Sequence, residues 1–171
     1  MQRRVELAKG LLHEPDVLIL DEPSTGLDPG ARSDLMAHLC ELRDRDGVTS
    51  LLTTHLMDDA DRCDRVGILD SGKLVTLGTP SELKATIGGD VVTIHGGNSA
   101  SLATRANERF SCKAEVVDGA VRIERDHGHA FVPQLIEAFP GEIDSVTVGN
   151  PTLDDVFLHH TGHRLWMGSG V

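Results

Sequence analysis

Two adjacent carboxylates, Asp21 and Glu22, end the apolar run 17–20, and a single imidazole, His55, ends the next such run, 50–54, after one intervening helical segment. Neighbouring strand residues point to opposite sides, so a proton-sharing pair is not the natural reading of Asp21 and Glu22. Two separate tasks are. One carboxylate can hold the hydrated shell of a Mg²⁺ ion, which takes oxygen ligands and keeps several waters. The other can orient a water for attack on a terminal phosphate, a reaction that rests on positioning and charge neutralisation. An imidazole beside them can donate a hydrogen bond to a phosphate oxygen and to that water. Each feature alone has a plainer reading: a strand followed by a helix-capping acid, or a surface histidine. The order is what favours chemistry, with Asp-Glu closing one strand, Ser24-Thr25-Gly26-Leu27-Asp28 following, and His55 closing the next.

The elements that must position these groups read as alternating helices and strands, hence an α/β architecture. Residues 1–12 carry Val5, Ala8, Leu11 and Leu12 at helical spacing, and Pro15 ends that helix. Residues 17–20 form a continuous apolar strand of the kind buried on both faces of a mainly parallel sheet. Residues 31–45 form an amphipathic helix stopped by Gly47, 50–54 a second strand, and 56–63 a short acidic helix. Residues 66–69 and 73–77 pair as a hairpin, and Thr79-Pro80-Ser81-Glu82 opens a further helix. Ligands of such sheets bind at the carboxyl ends of the strands, which is where Asp21, Glu22 and His55 fall.

A second rhythm begins near Gly88-Gly89, so the chain divides into residues 1–88 and 89–171. Strand 91–95, helix 99–109, hairpin 113–117 and 120–124 around Asp118-Gly119, helix 129–139 and strand 142–148 give the order β-α-β-β-α-β of a small ferredoxin-like α+β domain. A closing helix follows, with Pro151 near its first position and Leu153, Val156 and Phe157 read as core.

Composition narrows the classes. Net charge is −11, and residues 1–88 and 89–171 are each acidic, which argues against nucleic acid as a main partner. The three cysteines, Cys40, Cys63 and Cys112, have no paired spacing and read as reduced, buried thiols. His159 and His163 stand four apart on the closing helix but lack a ligand at metal spacing, so solvated surface is the simpler reading. The charged runs 43–47 and 57–65 read as solvated faces.

Residues 1–88 resemble the C-terminal half of an ATP-binding cassette (ABC) transporter ATPase, a P-loop NTPase core. "VLILDEP" resembles the Walker B strand with its catalytic Glu, "STGLDP" the D-loop, "TTH" the switch histidine, and "MQRRVELAKGLLHEPDVL" the helix after the family's signature. With the tail "PTLDDVFLHHTGH", the chain is similar to the daunorubicin-resistance branch of exporter ATPases. The resemblance implies ATP and Mg²⁺ as cofactors, Asp21 supporting the metal through water, Glu22 polarising the attacking water, and His55 sensing the γ-phosphate. It implies nucleotide contacts at Ser24, Met1 and Gln2, and Asp28 acting across a dimer interface. The implied partners are a second ATPase subunit and a separate membrane permease for a multidrug or antibiotic substrate. The implied location is the cytoplasmic face of the plasma membrane.

No G-x-x-x-x-G-K-[ST] occurs in the 171 residues. The expectation is therefore a shortened chain whose phosphate-cradling loop lies before Met1 and which does not hydrolyse ATP alone. Two other readings stay open: a soluble ABC-type ATPase acting on ribosomes or DNA, and a non-catalytic fragment or regulatory module.

Overall fold

The computed structural model describes residues 13–163. The helix expected over 1–12, with Met1 and Gln2, lies outside them. The chain packs as two compact units that part between Asp64 and Arg65, ahead of the Gly88-Gly89 division expected from sequence.

In the first unit, strand β1 (Val17–Asp21), helix α1 (Pro29–Asp46), strand β2 (Thr49–Thr53) and the single turn α2 (Met57–Ala60) follow one another. Strands β1 and β2 run parallel, with Val17 opposite Thr49 and Asp21 opposite Thr53. Helix α1 is framed at both ends. Asp28 caps it, its carboxylate accepting the Ala31 N–H, and Pro29 stands in the first turn. Gly47 closes it at φ 70°, its N–H returning to the Arg43 carbonyl. Leu35, Met36 and Leu39 of α1 pack with Leu18 and Val48, joined at the margin by Leu20, Leu27, Leu42 and Leu52.

This packing corrects the expectation that β1 is buried on both faces. Leu18 is buried, but Val17 is exposed, Ile19 is 78% exposed, and Leu51 of β2, opposite Ile19, is 62% exposed. Helix α1 covers one face of the pair, and among the described residues no element covers the other. The short helix expected over 56–63 is also only one turn long.

The second unit begins with the antiparallel hairpin β3 (Val66–Asp70) and β4 (Lys73–Gly78), followed by α3 (Pro80–Ala85). Thr79 and Glu82 form a reciprocal capping box on α3, as "TPSE" promises. Next come β5 (Asp90–Gly96), α4 (Ser99–Phe110), β6 (Ala114–Val117), β7 (Ala120–Arg125), α5 (Gly128–Ala138) and β8 (Ile143–Gly149). The sheet order is β6-β7-β5-β8, all antiparallel, the ferredoxin-like arrangement expected from the β-α-β-β-α-β order. Val92, Ile94, Val121 and Ile123 of its central strands meet Leu102, Ala106, Phe131 and Leu135 of α4 and α5 in one core. Phe110 packs edge-on against Phe131.

Helix α6 (Leu153–Thr161) closes the unit. Its cap is Thr152, in a capping box with Asp155, so Pro151 precedes the cap and does not occupy the first helical position. Leu153, Val156 and Phe157 are buried, and α6 packs against α3 and β4. That packing draws the hairpin and α3 into the second unit. Arg122 of β7 is buried and pairs with Glu124 at 3.1 Å and Asp155 at 3.2 Å, tying α6 to the sheet. His159 stands 3.4 Å from Glu124, and His163 lies beyond the Gly162 cap, 3.2 Å from Asp70. Both histidines expected to be solvated thus face carboxylates, a pairing that only the tertiary fold creates.

Gly89 is not a free joint. At φ 143°, a Cβ there would lie 2.6 Å from the Arg125 backbone, so the glycine is packed on the end of β7. The three cysteines are free and half-buried rather than fully buried. Burial raises the Cys63 and Cys112 thiols above their ordinary range and keeps them protonated.

Candidate functional site

The carboxyl ends of β1 and β2 lie side by side because the two strands are parallel and in register at Asp21 and Thr53. Asp21, the last residue of β1, is exposed and accepts a 2.5 Å hydrogen bond from the Thr53 hydroxyl. The same hydroxyl accepts the Glu22 N–H at 3.0 Å. One threonine thus fixes both carboxylate residues relative to the strand that leads to His55.

The chain leaves the strand at Glu22, whose φ of 47° is left-handed. A non-glycine residue there carries backbone strain, a feature that concentrates at functional positions. Two turn hydrogen bonds hold the reversal, Thr25 N–H to the Glu22 carbonyl and Leu27 N–H to the Ser24 carbonyl, each 3.2 Å. Beyond the turn the two carboxylates have different partners, Thr53 for Asp21 and Thr25 with His55 for Glu22. Glu22 Oε2 accepts from the Thr25 hydroxyl at 2.6 Å and contacts Nδ1 of His55. Both side chains are partly exposed, so the pair opens to solvent.

Ser24 and Asp28 occupy different surroundings. Ser24 is buried, 2% exposed, and donates to the carboxylate of Asp59, itself 2% exposed. The other oxygen of Asp59 accepts from Arg32 Nε of α1 at 2.7 Å, and Arg32 also reaches Asp58 at 3.0 Å. The Asp59 hydrogen bond, ahead of every other influence, raises the Arg32 pKa above its ordinary value. Asp28 is exposed and serves as the cap of α1, the helix-capping role left open as the plainer reading of this acid-rich stretch.

Of the residues marked from sequence, Asp21, Glu22 and His55 come together at the strand ends, Ser24 turns inward, and Asp28 caps a helix. Met1 and Gln2 lie outside the described residues. Sequence reasoning missed Thr53, Arg32 and Asp59. Asp59 corrects the reading of the run 57–65 as a solvated face, since burial beside Arg32 and Ser24 makes it an internal ion pair. Its only sequence signal was the position of Asp59 four residues after the histidine, in a pair flanked by Met57 and Ala60.

Residues 78–161 match the family model "ATP-binding protein DrrA1-3-like, C-terminal domain". The chain is 38% identical over 175 residues to the daunorubicin resistance ATP-binding protein DrrA3 of Streptomyces coeruleorubidus, covering 95% of this chain and 53% of that protein. It is 32% identical to the linearmycin resistance ATP-binding protein LnrL of Bacillus subtilis strain 168, covering 96% and 56%. It is 47% identical to the Nod factor export ATP-binding protein I of Neorhizobium galegae, covering 96% and 47%. The chain therefore spans about half the length of the curated relatives it matches.

Proposed function

This chain belongs to the DrrA-like ATP-binding proteins of the ABC family and corresponds to their C-terminal part, and from that premise we propose that Asp21, Glu22 and His55 serve ATP hydrolysis that powers an exporter. The observation that carries the reading is the contact of His55 Nδ1 with Glu22 Oε2 at the carboxyl ends of a parallel strand pair. A carboxylate held against an imidazole can orient a water and take its proton as the terminal phosphate departs. In this proposal His55, held through Nδ1, donates from its other ring nitrogen to a phosphate oxygen.

Asp21 fits a Mg²⁺ site by its chemistry: an exposed oxygen donor at a strand end, steadied by the Thr53 hydroxyl. Bound Mg²⁺ supplies charge neutralisation at the phosphate. Asp21 would hold it through water, while Glu22, held against His55, would orient the attacking water. Asp28 acts across a subunit interface in this proposal, in addition to capping α1. The partners are a second ATPase subunit and a separate membrane permease carrying a drug or antibiotic. Among the described residues no helix is long and apolar enough to cross a membrane. The acidic net charge of −11 favours this reading over one acting on nucleic acid.

The test joins this chain to the N-terminal portion of its 38% identical daunorubicin relative and measures ATP binding, turnover and dimer lifetime. Glu22→Gln keeps the shape and loses the base, so turnover falls about 10²–10⁴-fold while binding survives and an ATP-bound dimer accumulates. Asp21→Asn instead weakens the Mg²⁺ dependence and nucleotide retention. His55→Ala lowers turnover and spares binding. Unchanged hydrolysis by Glu22→Gln would make Glu22 a turn residue and end the proposal.

A further inference from the structure

We infer that Asp59 is a positioning residue, a buried brace that holds Glu22 and His55 in register, and this rests on the reading of those two residues as the hydrolytic pair. The observation is a closed ring. Glu22 lies two residues before Ser24, Ser24 donates to Asp59, Asp59 lies four residues after His55, and His55 Nδ1 contacts Glu22. Two short chain segments and two side-chain contacts thus complete a circuit between the turn after β1 and the segment after β2. Opening the circuit at Asp59 leaves the two segments tied mainly at the strand ends, through Thr53.

Three features single out Asp59 as the member that sets the geometry. It is 2% exposed, so its carboxylate is shielded from competing water and its hydrogen bonds are directional constraints. Its two oxygens divide the work, one accepting from Ser24 and the other from Arg32. Arg32 is rooted in the first turns of α1, whose cap is Asp28, so the ring is fixed to a rigid element rather than to another loop. A charge buried this deeply is tolerated only when it is paired and hydrogen-bonded, and the pairing partners here are the elements that carry the site. A surface aspartate following a histidine would have no such consequence for the turn at Glu22.

The experiment uses the 171-residue chain with ¹⁵N-labelled histidine and follows the His55 ring N–H, whose hydrogen bond to Glu22 gives a downfield proton resonance. His55→Asn assigns it. Asp59→Ala and Ser24→Ala each remove or broaden that resonance while the far-ultraviolet circular dichroism of the chain is kept. In the double variant, the Ser24 substitution adds nothing further, because both break one hydrogen bond. If Asp59→Ala does not fold, Ser24→Ala, which deletes a single hydroxyl, carries the test. Folded variants with an unchanged His55 resonance would overturn the brace and leave the Glu22–His55 reading standing. A resonance that persists in Glu22→Ala, which removes the acceptor, would overturn that reading, and the brace with it.

Discussion

At the scale of single residues, the left-handed backbone of Glu22 separates chemistry from stability. An L-residue held at φ 47° costs about 1–2 kcal/mol relative to the right-handed region, whereas glycine adopts it freely. Glu22→Ala and Glu22→Gly both delete the carboxylate, so their difference isolates the backbone. The glycine variant should be more stable than the alanine variant by about 1 kcal/mol, read from urea midpoints. Equal midpoints would mean that the turn relaxes in solution. That Asp21, Glu22 and His55 would meet was legible in the sequence because they close two consecutive parallel strands, an order that outweighs the plainer reading each has alone. Asp59 was not, because a carboxylate inside "MDDADRCDR" looks like any solvated charge until Arg32 and Ser24 are folded against it.

At the scale of elements, two devices invite tests. Gly89 stands at φ 143° with the Arg125 backbone 2.6 Å from where a Cβ would be. Gly89→Ala therefore combines a forbidden conformation with a backbone clash, and should destabilise the second unit by about 2–4 kcal/mol, seen as a lowered Tm. The second device is the capping box of α3. The Glu82 carboxylate accepts the Thr79 N–H at 2.8 Å, and that bond, with the Thr79 side chain, holds its pKa below the usual carboxylate range. A depressed folded pKa gives stability that is present above the unfolded value of about 4.3 and lost as pH falls through the lower folded value. Tm measured from pH 6 down to pH 3 should show the advantage of the native chain over Glu82→Gln shrinking across that acidic window; a constant gap would mean the carboxylate's charge plays no part. The Thr79–Glu82 box, the Gly47 stop, the hairpins and the Asp118-Gly119 turn were readable because each rests on local chemistry, whereas the Asp28 and Thr152 caps were not read as such. Nor was the half-exposed β1 readable, since the run Val17, Leu18, Ile19, Leu20 carries no sign of which face a neighbour will cover.

At the scale of the whole molecule, the division at Asp64/Arg65 changes where the chain can be cut. Helix α6 packs on α3 and β4, so a piece spanning 65–171 keeps those partners and one spanning 89–171 loses them. Both retain the four-stranded sheet, but the longer should melt cooperatively at the higher temperature. Equal melting temperatures would show that α3 and β4 add nothing to α6. The first unit presents Val17, Ile19 and Leu51 on one open sheet face, the kind of apolar surface that drives self-association. Light scattering of the chain should fall when Ile19 is changed to Lys, with little loss of stability, because Ile19 is 78% exposed. The alternation of elements foretold the α/β and ferredoxin-like parts; it could not foretell their grouping, which depends on contacts between residues some seventy positions apart.

The strand order β6-β7-β5-β8 also imposes an order in time. Strands β6 and β7 are joined by a two-residue turn, while β5 must find β7 across α4 and β6, and β8 across both helices. Closing a long loop costs chain entropy before any contact rewards it. The hairpin around Gly119 is therefore expected to be the nucleus of this unit, with β8 docking last. A nascent chain leaving the ribosome would hold β5 unpaired on its β8 side until residue 149 had emerged, and through that interval the central strand of the finished sheet is an edge.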